Sequence, residues 1–178
     1  MPEPEQTLES RRIYDGKILN LRVDTIALPD GGTATREIIE HGQAVVLVAE
    51  DSDGRVLLVR QYRKAVERFM LELPAGNMNS GEEPEAAALR EMQEETGFLP
   101  GRLERLGGFF AAPGYCEQYL HLFLAIDLKP DPLPADEDED IELIPTPWDE
   151  IPGLLESGHI CDAKSVAGLW WALARRSR

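Results

Sequence analysis

Residues 76–98 read GNMNSGEEPEAAALREMQEETGF and set Gly76, Glu82, Arg90, Glu91, Glu94, Glu95 and Gly97 in the spacing G-x5-E-x7-R-E-x-x-E-E-x-G. Glu83-Pro84 fits a helix start, because proline at the first helical position lacks an amide hydrogen that would go unpaired there anyway. Gly97 fits the stop. Ala86, Ala87, Ala88 and Leu89 favour helix, and at about 100° per residue Ala88, Leu89, Met92 and Thr96 gather on a side that should face the core. Glu91, Glu94 and Glu95 share a different face of about 100°, with Glu91 and Glu95 one turn apart. Three like charges so close repel, and most Glu-rich helices are simply solvated acidic faces. Yet seven fixed positions match by chance only on the order of 10⁻⁷ times per starting residue. The spacing therefore reads as a cation site.

Carboxylate oxygens without Cys or His suit hard cations, and Mg²⁺ is usually held by one or two carboxylates with waters and substrate phosphates. The stretch resembles the Nudix box, the signature of hydrolases that cleave a nucleoside diphosphate linked to another moiety. All its charged and glycine positions match, and Met92 and Phe98 stand at its bulky aliphatic positions. The resemblance implies an α/β fold with a mixed sheet, the αβα sandwich of that family, carrying an N-terminal β-hairpin extension. It implies Glu91 and Glu95 as principal metal ligands, Glu94 joining or orienting them, and the Ala75 backbone carbonyl adding an oxygen. Arg90 would orient a glutamate, and an ion pair with Glu94 is compatible with that. Glu82 either assists the metal or favours the helix N-terminus. Mg²⁺ is the implied metal, with Mn²⁺ an alternative and about two or three ions gathered once substrate is bound.

Other features resemble the ADP-ribose pyrophosphatase and nucleoside diphosphate sugar hydrolase branch. The acidic loop ADEDEDIEL leads into a strand, and the branch pattern selects Glu139, then Glu137, as the metal-binding or water-activating residue. By itself the loop is a solvated charge run. LVRQYR, residues 58–63, sets Arg60 and Arg63 close on one strand, read as facing one side, with Arg63 the choice for substrate phosphates. In AAPGYCE, Pro113 falls fifteen residues after Phe98, a spacing typical of the branch, and Pro113-Gly114 is a candidate substrate loop as well as a turn. Residues 15–43 hold no aromatic residue to stack adenine, leaving Tyr14 nearby, with Tyr115 and Tyr119 as candidates that could equally be core.

The 178-residue length fits one domain, taken as residues 13–178 after a mobile segment over 1–12, with the strands of 13–41 assigned by resemblance to a homodimer. Strands are expected over 18–28, 33–40, 44–49, 56–61, 69–73, 103–110, 119–126 and 141–144, and C-terminal helices near Pro147 and Ala163. PDGG and DSDG read as hairpin turns. No stretch of apolar residues is long enough for a membrane span or a signal peptide, so a cytoplasmic protein is expected. Cys116 and Cys161 are read as reduced thiols. A net charge of −15 argues against nucleic acid as a partner and leaves placed arginines and metal ions to hold a polyphosphate. The expected reaction is hydrolysis of ADP-ribose to AMP and ribose 5-phosphate. GDP-mannose, ADP-glucose, dinucleoside polyphosphates and oxidised nucleotide triphosphates are the alternatives. A non-catalytic nucleotide sensor would have lost a boxed carboxylate, and a Ca²⁺ module would need a D-x-D-x-D-G loop.

Overall fold

The computed structural model describes residues 3–134 and 140–176. They divide into two units, one built from residues up to 43 with 110–119, the other from 44–109 and from 120 onward.

In the first unit β1 (Thr7–Asp15), β2 (Leu19–Ala27) and β3 (Thr33–His41) form an antiparallel meander in that order. The PDGG turn forms as expected, with Gly31 at φ 84° and the Gly32 N–H donating to Asp30 Oδ1 at 2.9 Å. It fixes a register that sets Ala27 against Thr33 and Leu19 against His41. The mobile segment expected over 1–12 is corrected from Thr7 onward, where the chain runs into β1. TLESRRIYD is exposed along its whole length, so it lacks the apolar alternation by which strands are read. Cross-strand chemistry holds it instead, with Ser10 Oγ donating to Asp24 Oδ1 at 2.6 Å and Arg12 paired with Glu40 at 2.5 Å. The segment 110–119 joins β3 where the Ile39 N–H donates to the Tyr115 carbonyl at 2.7 Å.

The second unit is organised by a mixed sheet. It comprises β4 (Ala44–Glu50), β5 (Arg55–Arg63), β6 (Arg68–Glu72), β7 (Ala75–Asn77), β8 (Phe98–Phe110), β9 (Tyr119–Pro130) and β10 (Glu142–Pro147). The order is β10-β5-β4-β9-β8, with β6 on β5 and β7 on β4. β4 is antiparallel to β5 and parallel to β9. Its AVVLVA run is buried on both faces, as a central strand covered by helices requires. Val45, Leu47 and Ala49 pack with Ala87, Ala88 and Met92 around α1 (Pro84–Glu91). On the other face α3 (Ala163–Arg176) approaches so closely that a methyl on Gly168 would sit 2.7 Å from Leu73 Cδ1 and 3.1 Å from Leu122 Cδ1. The αβα sandwich is thus present.

Several boundaries differ, among them β9, which runs on to Pro130, and β10, which spans Glu142–Pro147. α2 (Ile151–Glu156) starts later than the expected Pro147, and β8 starts at Phe98 rather than Leu103. α1 does not run regularly to its stop. From Met92 to Thr96 it widens into a π-helical turn before Gly97, at φ 77°, ends it. Among the described residues no helix is long and apolar enough to cross a membrane.

Candidate active site

β7 and α1 bring the acids together through close backbone approach. The Glu91 carboxylate lies over Gly76, where a Cβ would fall 1.9 Å from Glu91 Cδ. Only glycine leaves that space. The loop between β7 and α1 is closed by Glu82, whose N–H donates to the Asn79 carbonyl at 3.0 Å while Glu82 Oε2 accepts from the Asn79 N–H at 2.8 Å.

Arg90 gathers the carboxylates. Its Nε and Nη2 each donate to Glu82 at 3.0 Å, Nη2 also reaches the Asn77 carbonyl at 3.0 Å, and Nη1 reaches Glu91 at 2.7 Å and Glu94 at 2.8 Å. The guanidinium is held above its ordinary range, first by Glu82 against desolvation, then by Glu91 and Glu94. In turn the Arg90 bond, outweighing desolvation, holds Glu82 below the usual carboxylate range. Glu95 is placed separately, its Oε2 accepting the Ala75 N–H at 2.9 Å. Glu91 and Glu95 are both buried. Like charges tolerate this proximity because a five-donor cation lies among them.

Residues 40–168 match the NUDIX domain family. The chain belongs to the Nudix family. Residues 5–39 match the nucleoside diphosphate sugar hydrolase N-terminal domain, which covers the three-stranded meander nearly to its end. The chain is 37% identical over 164 residues to an ADP-ribose pyrophosphatase of Bacillus subtilis (strain 168), covering 91% of this chain and 89% of that protein. It is also 37% identical to the methanol dehydrogenase activator of Bacillus methanolicus, with the same coverage. A crystal structure of an ADP compounds hydrolase matches its fold at a TM-score of 0.90 and 24% identity, covering 98% of this chain and 95% of that one.

Nudix hydrolases are generally dependent on divalent metal. The donors here fit a hard cation: they are carboxylate oxygens, and that of Glu91 is seated in the space that Gly76 leaves by having no side chain. Among the described residues no three acidic, histidine or cysteine side chains already close around one point.

Arg63, at the end of β5, makes a bidentate pair with Glu72, Nε to Oε1 at 3.0 Å and Nη2 to Oε2 at 2.7 Å. Its charge is stabilised first by that bond, against desolvation, and further by Glu95 and Asp162. Arg60 is corrected. Positions three apart on a strand fall on opposite faces, and Arg60 pairs with Glu142 at 3.1 Å while lying 4.2 Å from the Phe69 ring centroid. Pro113 and Gly114 lie in an exposed turn of the first unit, where the Cys116 N–H donates to the Ala112 carbonyl at 2.8 Å. Glu137 and Glu139 lie outside the described residues. Tyr14 and Tyr115 are exposed, and Tyr119 packs edge-on against Phe110 at 5.1 Å.

Three residues of the second unit escaped the sequence reading. Glu72 is buried, and accepts from Lys164 as well as Arg63. Asp162 Oδ1 accepts from Lys164 at 2.9 Å and from the Ser165 N–H at 3.1 Å. Two signals could have found them: an acid inside the apolar run FMLEL, and a lysine in the first turn of a helix, where the dipole disfavours cations.

Proposed function

We propose that this Nudix protein hydrolyses the pyrophosphate bond of ADP-ribose, or of a closely related nucleoside diphosphate sugar. With ADP-ribose, water adds to one phosphorus, the bridging P–O bond breaks, and AMP and ribose 5-phosphate leave. The observation that carries the reading is Arg90 bound at once to Glu82, Glu91 and Glu94, beside the buried Glu95.

Each residue has a distinct task. Glu91 and Glu95, with the Ala75 carbonyl, would hold Mg²⁺ or Mn²⁺, and Glu94 orients or joins them. Arg90 fixes the angles of Glu91 and Glu94 without touching substrate. Arg63 receives the diphosphate, because guanidinium geometry matches phosphate oxygens and the chain's net charge of −15 otherwise repels them. The family resemblance assigns water activation to Glu139, with Glu137 the alternative, and substrate contact to the Pro113-Gly114 turn. A bound divalent ion contributes Lewis-acid charge and lowers the pKa of water.

The relatives' names favour nucleoside diphosphate sugars as the substrate class. GDP-mannose is the second reading, since a GDP-mannose pyrophosphatase of Pectobacterium atrosepticum is 30% identical over 98% of this chain. We place the enzyme in the cytoplasm as a homodimer joined through the N-terminal sheet, whose Leu8, Ile13 and Tyr14 are exposed apolar side chains. Sedimentation giving a stable monomer would remove the dimer.

The deciding experiment is a panel of nucleotide sugars with Mg²⁺ and chromatographic identification of products. AMP and ribose 5-phosphate are expected from ADP-ribose. No AMP, together with rapid turnover of GDP-mannose, would overturn the assignment. Glu95→Gln should lower kcat by about two to four orders of magnitude if this carboxylate holds the reaction's cation. An undiminished rate would refute that role.

A further inference from the structure

We infer that Lys164 is a positioning residue for Arg63: it neutralises Glu72, so that the guanidinium is held in place while its charge stays available to an anionic substrate. The inference rests on the assignment of Arg63 to the substrate's phosphates.

Without Lys164, the bidentate Arg63–Glu72 pair and the nearby Asp162 would together carry a net charge of minus one and repel an anion. Glu72 Oε2, however, accepts from both Arg63 Nη2 and Lys164 Nζ. Two cations thus share one buried carboxylate. Arg63 keeps an exposed fraction of 41%, against 3% for the Glu72 side chain and 16% for Lys164, so the arginine is the cation facing water. Among the described residues Arg63 Nη1 donates to no protein acceptor, whereas Nε and Nη2 are both taken by Glu72. Lys164 sits in the first turn of α3, where the helix dipole opposes it. Asp162 compensates that position through Oδ1, while its buried Oδ2 has no hydrogen-bond partner among the described residues. Ser165 Oγ accepts the Leu73 N–H at 2.7 Å, which fastens the start of α3 to the residues just before Ala75. The four charged groups sum to zero. Without Lys164 they sum to minus one, directly behind the arginine meant to receive a diphosphate.

The test is steady-state hydrolysis of ADP-ribose by Lys164→Met, Lys164→Arg, Arg63→Ala and Arg63→Ala/Lys164→Met, with thermal midpoints measured in parallel. Lys164→Met should raise KM about tenfold, with kcat held within about twofold, because a phosphate contact made before and during reaction is lost uniformly. Lys164→Arg should recover most of the KM. Lys164→Met/Asp162→Asn, which returns the group to neutrality, should recover part of it. In the Arg63→Ala background the Lys164 substitution should change KM by less than about twofold, because coupled residues are not additive. An unchanged KM in Lys164→Met with a lowered thermal midpoint would make Lys164 a structural latch and overturn the inference. KM effects that multiply in the double variant would also overturn it. If Lys164→Met does not fold, Lys164→Gln is read against the same criteria. If Arg63→Ala leaves KM unaltered, the phosphate role of Arg63 fails and the inference with it, whereas Glu95→Gln judges the hydrolase reading separately.

Discussion

Gly76→Ala should remove most activity while leaving the fold intact. The added Cβ would lie 1.9 Å from Glu91 Cδ and 2.1 Å from both of its carboxylate oxygens. Ordinary contact begins near 3.4 Å, so the shortfall is 3.4 − 1.9, about 1.5 Å, and Glu91 must yield because the backbone of β7 is paired to β4. Glu91 cannot yield freely, since Arg90 Nη1 holds its Oε1 at 2.7 Å. A displacement of about 1 Å at a reacting centre costs on the order of 10²-fold in rate, and overpacking costs about 1–3 kcal/mol of stability. We therefore expect kcat for AMP release to fall about a hundredfold or more, with a change in thermal midpoint of a few degrees. Gly153→Ala is the control, since nothing lies within 4 Å of its added methyl and α2 should gain helix propensity. A Gly76→Ala enzyme with full kcat would refute the packing of Glu91 over β7 as the source of its orientation.

Arg90→Met removes the cation shared by Glu82, Glu91 and Glu94 and should cost about 3–5 kcal/mol of unfolding free energy, as breaking a buried ion cluster does, read by urea denaturation. Ser165→Ala leaves the buried Leu73 N–H without its acceptor and should cost about 1–3 kcal/mol in the same assay. Glu72 governs an acid limb: desolvation raises its pKa, but Arg63 and Lys164 together prevail and hold it below its ordinary 4.5. A depressed carboxylate contributes stability that is complete above 4.5 and lost as pH falls through the folded-state value, so Glu72→Gln should flatten stability against pH on that side. An unchanged slope would contradict it.

The Nudix box was legible because its chemistry and its spacing are local. Pro84, Gly97 and the apolar Ala88 and Met92 announce a helix, and the structure confirms the packing around it. β1 was not legible, since its exposed residues carry no alternation and its partners Asp24 and Glu40 lie elsewhere in the chain. Arg60 was misread by counting its strand position without its parity. Glu72 and Lys164 are 92 residues apart, so nothing nearby in sequence hints that one neutralises the other. Periodicity reports a residue's face, and a long-range ion pair has no period.

The π-helical turn at Met92–Thr96 makes chain length, rather than residue identity, a condition for the site. Such a turn is a helix carrying one surplus residue. Deleting Gln93 would keep every boxed carboxylate and Arg90, yet it would let the last turn rewind and swing Glu94, Glu95 and the entry to β8 around the axis. It would also cut the tether from Gln93 Nε2 to the Asp131 carbonyl at 3.0 Å. Substitution libraries that spare the acids should thus tolerate many residues at position 93. Deletion of Gln93 alone should leave every boxed residue in the chain and still abolish function.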